Sequence, residues 1–399
     1  MMTVQPKESN KIEIFKKLSG VIFLCSFIFL FPIIYSSVSV VNFLSEAAVL
    51  ETVIKEKVVV KAVPHVQLPQ QVKAIYLTSW VAGTKSIRDN LVKLVDNTEL
   101  NSIVIDIKDY TGEVAFKIED ENLAKYGSSS NRIPDIKDFL EYLHSKNIYV
   151  IGRISVFQDP CLVAQRPDLA VKKEKDGAVW KDYKGISWLD AGAIDVWKYV
   201  IDLARYSYNL GFDEINFDYI RFPSDGNMSQ IYYPFSEDRV AADVDTGKAK
   251  ILREFFIYLD AKLSDIDLVL SADLFGMTTT NDDDLNIGQI LEYALPFFDF
   301  VSPMVYPSHY PTNFIGLANP AAYPYEVVKY SMDKAVIKAK NAGIDPKKLR
   351  PWLQDFDLGA DYNSAEVRAQ IKATYDAGLD SWLLWSASNK YTVGALLAN

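Results

Sequence analysis

The chain has 399 residues, 49% hydrophobic, 24% charged and 13% aromatic, a composition that excludes general disorder and supplies enough apolar material for one large core. Its 42 Lys and Arg face 52 Asp and Glu, a formal net charge of −10 at pH 7, and the acidic excess lies beyond residue 70; such a surface repels phosphate backbones and argues against a nucleic-acid partner. Two cysteines, Cys25 and Cys161, and three scattered histidines, His65, His144 and His309, offer neither a disulfide framework nor a zinc ligand set, which leaves only a carboxylate-bound cation open; no metal and no cofactor is expected.

Residues 1–17 form a basic tail with Lys7, Lys11, Lys16 and Lys17, and residues 18–44 are an uncharged apolar run long enough to span a bilayer. Basic residues ahead of that run orient the tail to the cytoplasm and send the remainder outside, as a single-pass membrane anchor does. The alternative is a cleaved signal peptide, for which Ser45-Glu46-Ala47 offers small residues at a suitable spacing and after which the protein is secreted. Residues 45–71 mix charge, Val and Pro without a clean period and read as a linker.

From residue 72 to 399 strand-like and helix-like segments alternate. Strands are expected at 72–80, 101–109, 148–157, 212–222, 267–276, 298–307, 349–356 and 381–388, with amphipathic helical patterns between them, several ending in Gly or Asn as C-caps do. Eight βα units over this length predict an α/β fold of the (β/α)₈ TIM barrel type. No Gly-rich loop follows the first strand, so a dinucleotide fold lacks its main signature.

The fourth strand segment, Gly211 to Pro223, reads GFDEINFDYIRFP and carries a polar stripe, Glu214, Asn216 and Asp218, opposite Ile215, Phe217 and Tyr219. Taking that stripe as inward, the same alternation turns Asp106 and Lys108, Arg153 and Ser155, Ser271 and Asp273, Ser302 and Tyr306, Trp352 and Gln354, and Trp385 to the barrel interior. Each cluster lies toward the C-terminal half of its strand, the end at which barrel enzymes build their sites. Long connections after strands three and four add Trp188, Arg221 and aromatic residues near the same mouth.

Two carboxylates on adjacent strands, with aromatic rings to stack on sugars, match the requirements of glycoside hydrolysis. Asp218 is the expected nucleophile or base, kept ionised by Asn216, Arg221 or Lys108. Asp273 is the expected general acid, because its apolar neighbours raise its affinity for a proton. Asp106, Lys108, Arg153, Trp188, Asn216, Arg221, Tyr306, His309, Gln354 and Trp385 are the expected carbohydrate-binding residues. Asp282-Asp283-Asp284 lacks the spacing of a calcium loop and reads as a solvated cap.

Five longer motifs, GFDEINFDYIRFPSDG, SADLFGMTTTNDD, VSPMVYPSHY, RPWLQDFDLG and YDAGLDSWLLWSASNKYT, resemble in order a glycoside-hydrolase-like family long catalogued as a domain of unknown function. The resemblance covers residues 72–392. It implies a glycosidase-like barrel behind a signal or anchor in bacteria, with Asp218 and Asp273 at its acidic positions. The chain departs from the pattern at Ala191, where Pro is expected after Asp190, and at Ser386, where Asn is usual. Together these readings give a glycosidase acting on a cell-envelope or extracellular polysaccharide; the alternative is a catalytically inactive carbohydrate-binding barrel.

Overall fold

The structure is a computed structural model, and it describes residues 64–399. The basic tail, the apolar run 18–44 and most of the linker lie outside the described residues; among the described residues no helix is long and apolar enough to cross a membrane.

Eight parallel strands close into a barrel in chain order: β1 (Lys73–Leu77), β2 (Ser102–Lys108), β3 (Tyr149–Ser155), β4 (Glu214–Asp218), β5 (Val269–Phe275), β6 (Phe300–Met304), β7 (Trp352–Gln354) and β8 (Trp382–Trp385). Each lies inside its expected segment. Helices α1 (Lys85–Asp96), α2 (Ile136–Ser145), α3 (Ile194–Leu210), α4 (Gly247–Leu263), α5 (Leu291–Ala294), α6 (Pro324–Asn341) and α7 (Ser364–Asp376) connect successive strands. The 17-residue α3 stops at Gly211, whose φ of 117° lets its N–H turn back to the carbonyls of Ser207 and Tyr208 and feeds the chain directly into β4. Helix α7 begins with a capping box between Asn363 and Glu366.

Strand alternation divides the apolar residues into two populations. Ile103, Ile105 and Ile107 of β2, Val150 and Ile154 of β3, and Ile215 and Phe217 of β4 pack outward with the helices. Ala74 and Tyr76 of β1, Val104, Tyr149, Ile151, Trp352 and Leu383 form a smaller cluster within the barrel. The rest of the interior is polar. At the N-terminal end Glu214 receives both Arg350 and the Ser271 hydroxyl, with Arg350 and Glu214 fully buried. Just outside that end Asp213 accepts from the backbone of Val66 (2.9 Å) and Val150 (2.8 Å), and lies 3.3 Å from His65 Nδ1 and 3.1 Å from His144 Nε2. Residues 65 and 66, expected to belong to a free linker, are thereby tied to the barrel.

Lys108 departs from its expected position in the interior. A register shift between Asp106 and Lys108 pairs Asp106 with Arg153, an inward residue of β3, but pairs Lys108 with Ile154, an outward one. Such a bulge re-aims a side chain by changing its face. The Lys108 ammonium is consequently sealed beneath the loop after β3, 2.5 Å from Asp159 Oδ2 and 5.1 Å from the centre of the Tyr199 ring. It is a structural cation and does not reach the mouth. Lys108→Met therefore leaves Asp159 buried and uncompensated, and urea unfolding is expected to show a loss of about 3–5 kcal/mol. Adding Asp159→Leu to that variant should recover much of the loss, whereas a Lys108 that served only a ligand would leave the unfolding midpoint unchanged.

Candidate active site

At the C-terminal end of the barrel a cavity of about 340 Å³ opens between the strands, with Arg153, Asp218, Asp273, Tyr306, Trp352 and Trp385 in its wall. Its centre is the guanidinium of Arg153. Nη1 donates to Asp106 Oδ1 (2.7 Å), while Nε and Nη2 both donate to Asp218 Oδ2 (3.1 and 2.5 Å). Nε also lies 3.9 Å from Asp273 Oδ2. Three carboxyl groups from β2, β4 and β5 thus surround one cation from β3.

The three are not equivalent. Asp218 takes two N–H bonds from Arg153 on Oδ2 and one from the Tyr219 amide on Oδ1 (2.6 Å), donors that suit a negative charge. Tyr219 itself adopts φ 52°, a left-handed conformation that costs a bulky residue on the order of 1–2 kcal/mol. Asp106 accepts from the Tyr76 hydroxyl at 2.5 Å, and burial pushes its carboxyl above the ordinary carboxylate range despite Arg153 and Tyr76. Asp273 is pushed up to about 8, first by burial and then by the negative charge of Asp218. Its Oδ1 accepts from Asn216 Nδ2 and from Trp352 Nε1, both at 2.8 Å, which leaves Oδ2 to carry the proton.

Aromatic rings frame these groups. Tyr76 and Trp385 stack at 4.1 Å, and Trp352 meets both edge-on. The Arg153 guanidinium lies 5.2 Å from the Trp385 ring centre, so the same stack holds the central cation. Tyr306 and His309 line the cavity, and burial keeps His309 below its ordinary pKa and therefore neutral.

Several sequence expectations need to be redrawn. The cation at Asp218 is Arg153 rather than Arg221 or Lys108, and Asn216 serves Asp273 instead of Asp218. Arg221 does line the cavity, with its guanidinium 4.7 Å from the Trp188 ring and 4.9 Å from the Phe275 ring. Trp188 is fully buried behind it, its indole N–H given to Asp182. Gln354 is likewise buried, accepting from Ser308 and donating to the Phe356 carbonyl, so it shapes the β6 loop and does not line the cavity. Asp106 and Asn216 act on the cavity through Arg153 and Asp273. Asp190, followed by Ala191, accepts from Gly192 and Phe235 amides and the Ser236 hydroxyl, tying the two long loops together. Asn389 bonds the Tyr76 and Ser386 carbonyls, while Ser386 itself meets Ser388. Among the described residues there is no cluster of His, Cys, Asp and Glu able to hold a metal ion, the acidic run at Asp282 included.

Two residues central to this geometry were not among the expected site residues. Tyr76 shares the inward parity of Ala74 on β1, a signal available in the strand pattern, but no charged residue shares that face of β1 to draw attention to it. Trp352 was read as inward, and its role as an indole donor to Asp273 depends on the register between distant strands.

A family model described as a putative glycosyl hydrolase domain matches residues 74–391 of this chain. No curated protein sequence is significantly similar to it. Among solved structures, a hypothetical protein from Ruminiclostridium thermocellum is 34% identical, the match covering 50% of this chain and 96% of that one with a TM-score of 0.42. The PgaB (BpsB) glycoside hydrolase domain from Bordetella bronchiseptica is 14% identical over 80% of this chain and 94% of that one; its TM-score of 0.59 is a likeness of fold.

The raised proton affinity of Asp273 has a thermodynamic consequence. Between the unfolded carboxyl value of 3.8 and about 8 the folded state holds a proton that the unfolded state has released, so stability falls as pH rises through that window. Asp273→Asn cannot ionise, and its carbonyl can still accept from Asn216 and Trp352. Melts from pH 4 to 9 should therefore show this variant gaining on the wild type by a few kcal/mol toward the alkaline end. Parallel wild-type and variant curves would mean that the Asp273 carboxyl is not held protonated.

Proposed function

The chain belongs to this glycosyl hydrolase domain family, and from that footing we propose that it is a glycosidase in which Asp273 is the general acid and Asp218 the nucleophile. The observation that carries the reading is the unequal sharing of Arg153. Asp218 receives two of its N–H groups, whereas Asp273, 3.9 Å from Nε, keeps a proton on the oxygen beside the cavity. A protonated acid and an ionised carboxylate on neighbouring strands are the pair that glycoside hydrolysis requires.

The chemistry follows from these atoms. Asp273 Oδ2–H gives its proton to the glycosidic oxygen as the anomeric carbon–oxygen bond breaks, and the leaving alcohol departs neutral. Asp218 Oδ1, which holds one donor and so keeps a free lone pair, attacks the anomeric carbon and forms a glycosyl ester. Asp273, now a carboxylate, takes a proton from water as that water displaces Asp218, which restores both groups. Arg153 Nε is 3.1 Å from Asp218 Oδ2 and 3.9 Å from Asp273 Oδ2. These contacts cap the separation of the two oxygens near the lower edge of the ~6.5–9.5 Å typical of inverting pairs and admit the ~5–5.5 Å of retaining ones. We therefore read the reaction as retaining. The stacked and edge-on rings of Tyr76, Trp352 and Trp385 suit the apolar face of a sugar.

We assign the substrate to the polysaccharides of the cell envelope or its surroundings, since the basic tail and apolar run of residues 1–44 read as an anchor or export signal that carries the barrel outside. A second reading, a sugar-binding barrel without turnover, draws on the two N–H bonds by which Arg153 holds Asp218.

The two readings separate on a panel of envelope glycans scored for new reducing ends. Asp218→Asn and Asp273→Asn are each expected to lower kcat by at least about 10³-fold with the fold intact, and proton NMR of the first product should show the anomer of the substrate. Activity should decline above pH 8 as the acid loses its proton. Glycan binding that persists in both variants, with no product from the wild type, would establish the silent barrel instead, and an inverted anomer would overturn the nucleophilic role of Asp218.

A further inference from the structure

Arg221 is a buried cation that the proposed reaction leaves unused. It lies on the segment leaving β4, three residues beyond Asp218, and is 8% exposed. Its Nη1 donates to the Phe222 carbonyl (3.1 Å) and to Ser224 Oγ (3.0 Å). Among the described residues Nε and Nη2 donate to nothing, and no carboxylate forms an ion pair with this guanidinium, in contrast to Arg153, whose three nitrogens are all engaged. The unpartnered Nε atoms of Arg88 and Arg350 are sealed from the solvent; those of Arg221 are not, because the guanidinium stands in the cavity wall.

Three rings fix its plane: Trp188 at 4.7 Å, Phe275 at 4.9 Å and Tyr219 at 5.3 Å from the guanidinium carbon. The surrounding charges do not repay its burial. Asp218, Asp225 and Asp182 act on it only from a distance, and desolvation outweighs them, holding the guanidinium below its ordinary pKa. A buried charge without a partner is costly, and a stable protein that retains one reserves it for something outside itself. The Nε–Nη2 edge left free is the edge that receives a planar, two-oxygen anion through two parallel N–H bonds. Of the other cations at the cavity, Arg153 is saturated by carboxylates and His309 is neutral.

We propose that Arg221 is a carboxylate-recognition subsite, and that the glycan bound in this cavity carries a carboxylated sugar, a uronic acid or a lactyl-ether sugar, beside the scissile bond. The proposal rests on the reading of this cavity as a sugar site but not on turnover. The free two-nitrogen edge matches the two coplanar oxygens of a carboxylate.

The test compares binding of free monosaccharides, which have no glycosidic bond to cleave, so that a failed hydrolase assignment and a failed carboxylate subsite remain distinguishable. NMR titrations would pair glucuronate with glucose, galacturonate with galactose, and N-acetylmuramate with N-acetylglucosamine, with glucose 6-phosphate as the tetrahedral anion. At least one carboxylated sugar is expected to bind about tenfold or more tightly than its neutral counterpart, and that preference should shrink as salt is raised. Arg221→Gln should abolish the preference, and Arg221→Lys, which keeps the charge but not the fork, should fall between. Equal binding within all three pairs, a preference that survives Arg221→Gln, or tighter binding of glucose 6-phosphate would each overturn the proposal. Should neither variant fold, the wild-type pairs and their salt dependence decide it alone.

Discussion

The site depends on one guanidinium held among three carboxyl groups. Without Arg153, Asp106, Asp218 and Asp273 would be confined together in a poorly solvated space, where like charges cannot all remain ionised. Its unequal contacts break what would otherwise be a symmetric repulsion. Asp218 is given two N–H bonds, Asp106 one, and Asp273 none within bonding distance. Burial and the charge of Asp218 accordingly raise the proton affinity of Asp273. A division of labour between two chemically identical side chains follows from geometry alone, provided that Arg153 is itself immobile. The stack of Tyr76 and Trp385 beside it, and the Tyr76 hydroxyl bound to the same Asp106, meet that condition.

Rigidity is also stored in the backbone. Tyr219 holds a left-handed conformation immediately after the strand, a strained backbone beside the carboxylate that its own amide binds. The surrounding structure keeps that residue in place. Amides of Val156 and Phe157 bind the carbonyls of Asp218 and Tyr219, and the long loops after β3 and β4 are joined by a two-stranded ribbon and by Asp190. Those loops place Trp188 behind Arg221, so the loop that looked from composition like a source of sugar-stacking rings instead provides the backing of a cation.

The barrel was legible because eight separated strand patterns, each followed by a helical one, leave few alternatives, and because inward and outward residues alternate strictly along a strand. That same alternation identified Asp218, Asp273, Arg153 and Trp385 as interior residues. It failed at Lys108, where one inserted residue at the end of β2 reversed the face. It gave no ground for choosing Arg153 over Arg221 as the partner of Asp218, since Arg221 is only three residues away along the chain and only the register of β3 against β4, Ser155 opposite Asp218, brings Arg153 into reach. Gln354 shows the complementary difficulty: a correctly inward polar side chain is spent on Ser308 and Phe356, and nothing in its local sequence says so.

The interior polar column explains why such a site can persist without collapsing. Below the carboxylates, Asn216 links Ser271 to Asp273, and Ser271 in turn reaches Glu214, which is closed off by Arg350. Successive members are hydrogen-bonded, so the column is a connected network rather than a set of isolated buried charges; Asn216 Oδ1 and Arg350 Nε are left without partners, and the worth of the column lies in holding positions more than in raw stability. At the mouth, Asp273 Oδ2 and the Nε–Nη2 edge of Arg221 have no hydrogen-bond partner among the described residues. Unlike the sealed unpartnered atoms deeper in the barrel, such as Asn216 Oδ1 and Arg350 Nε, these two border the cavity, where the sugar proposed above would meet them.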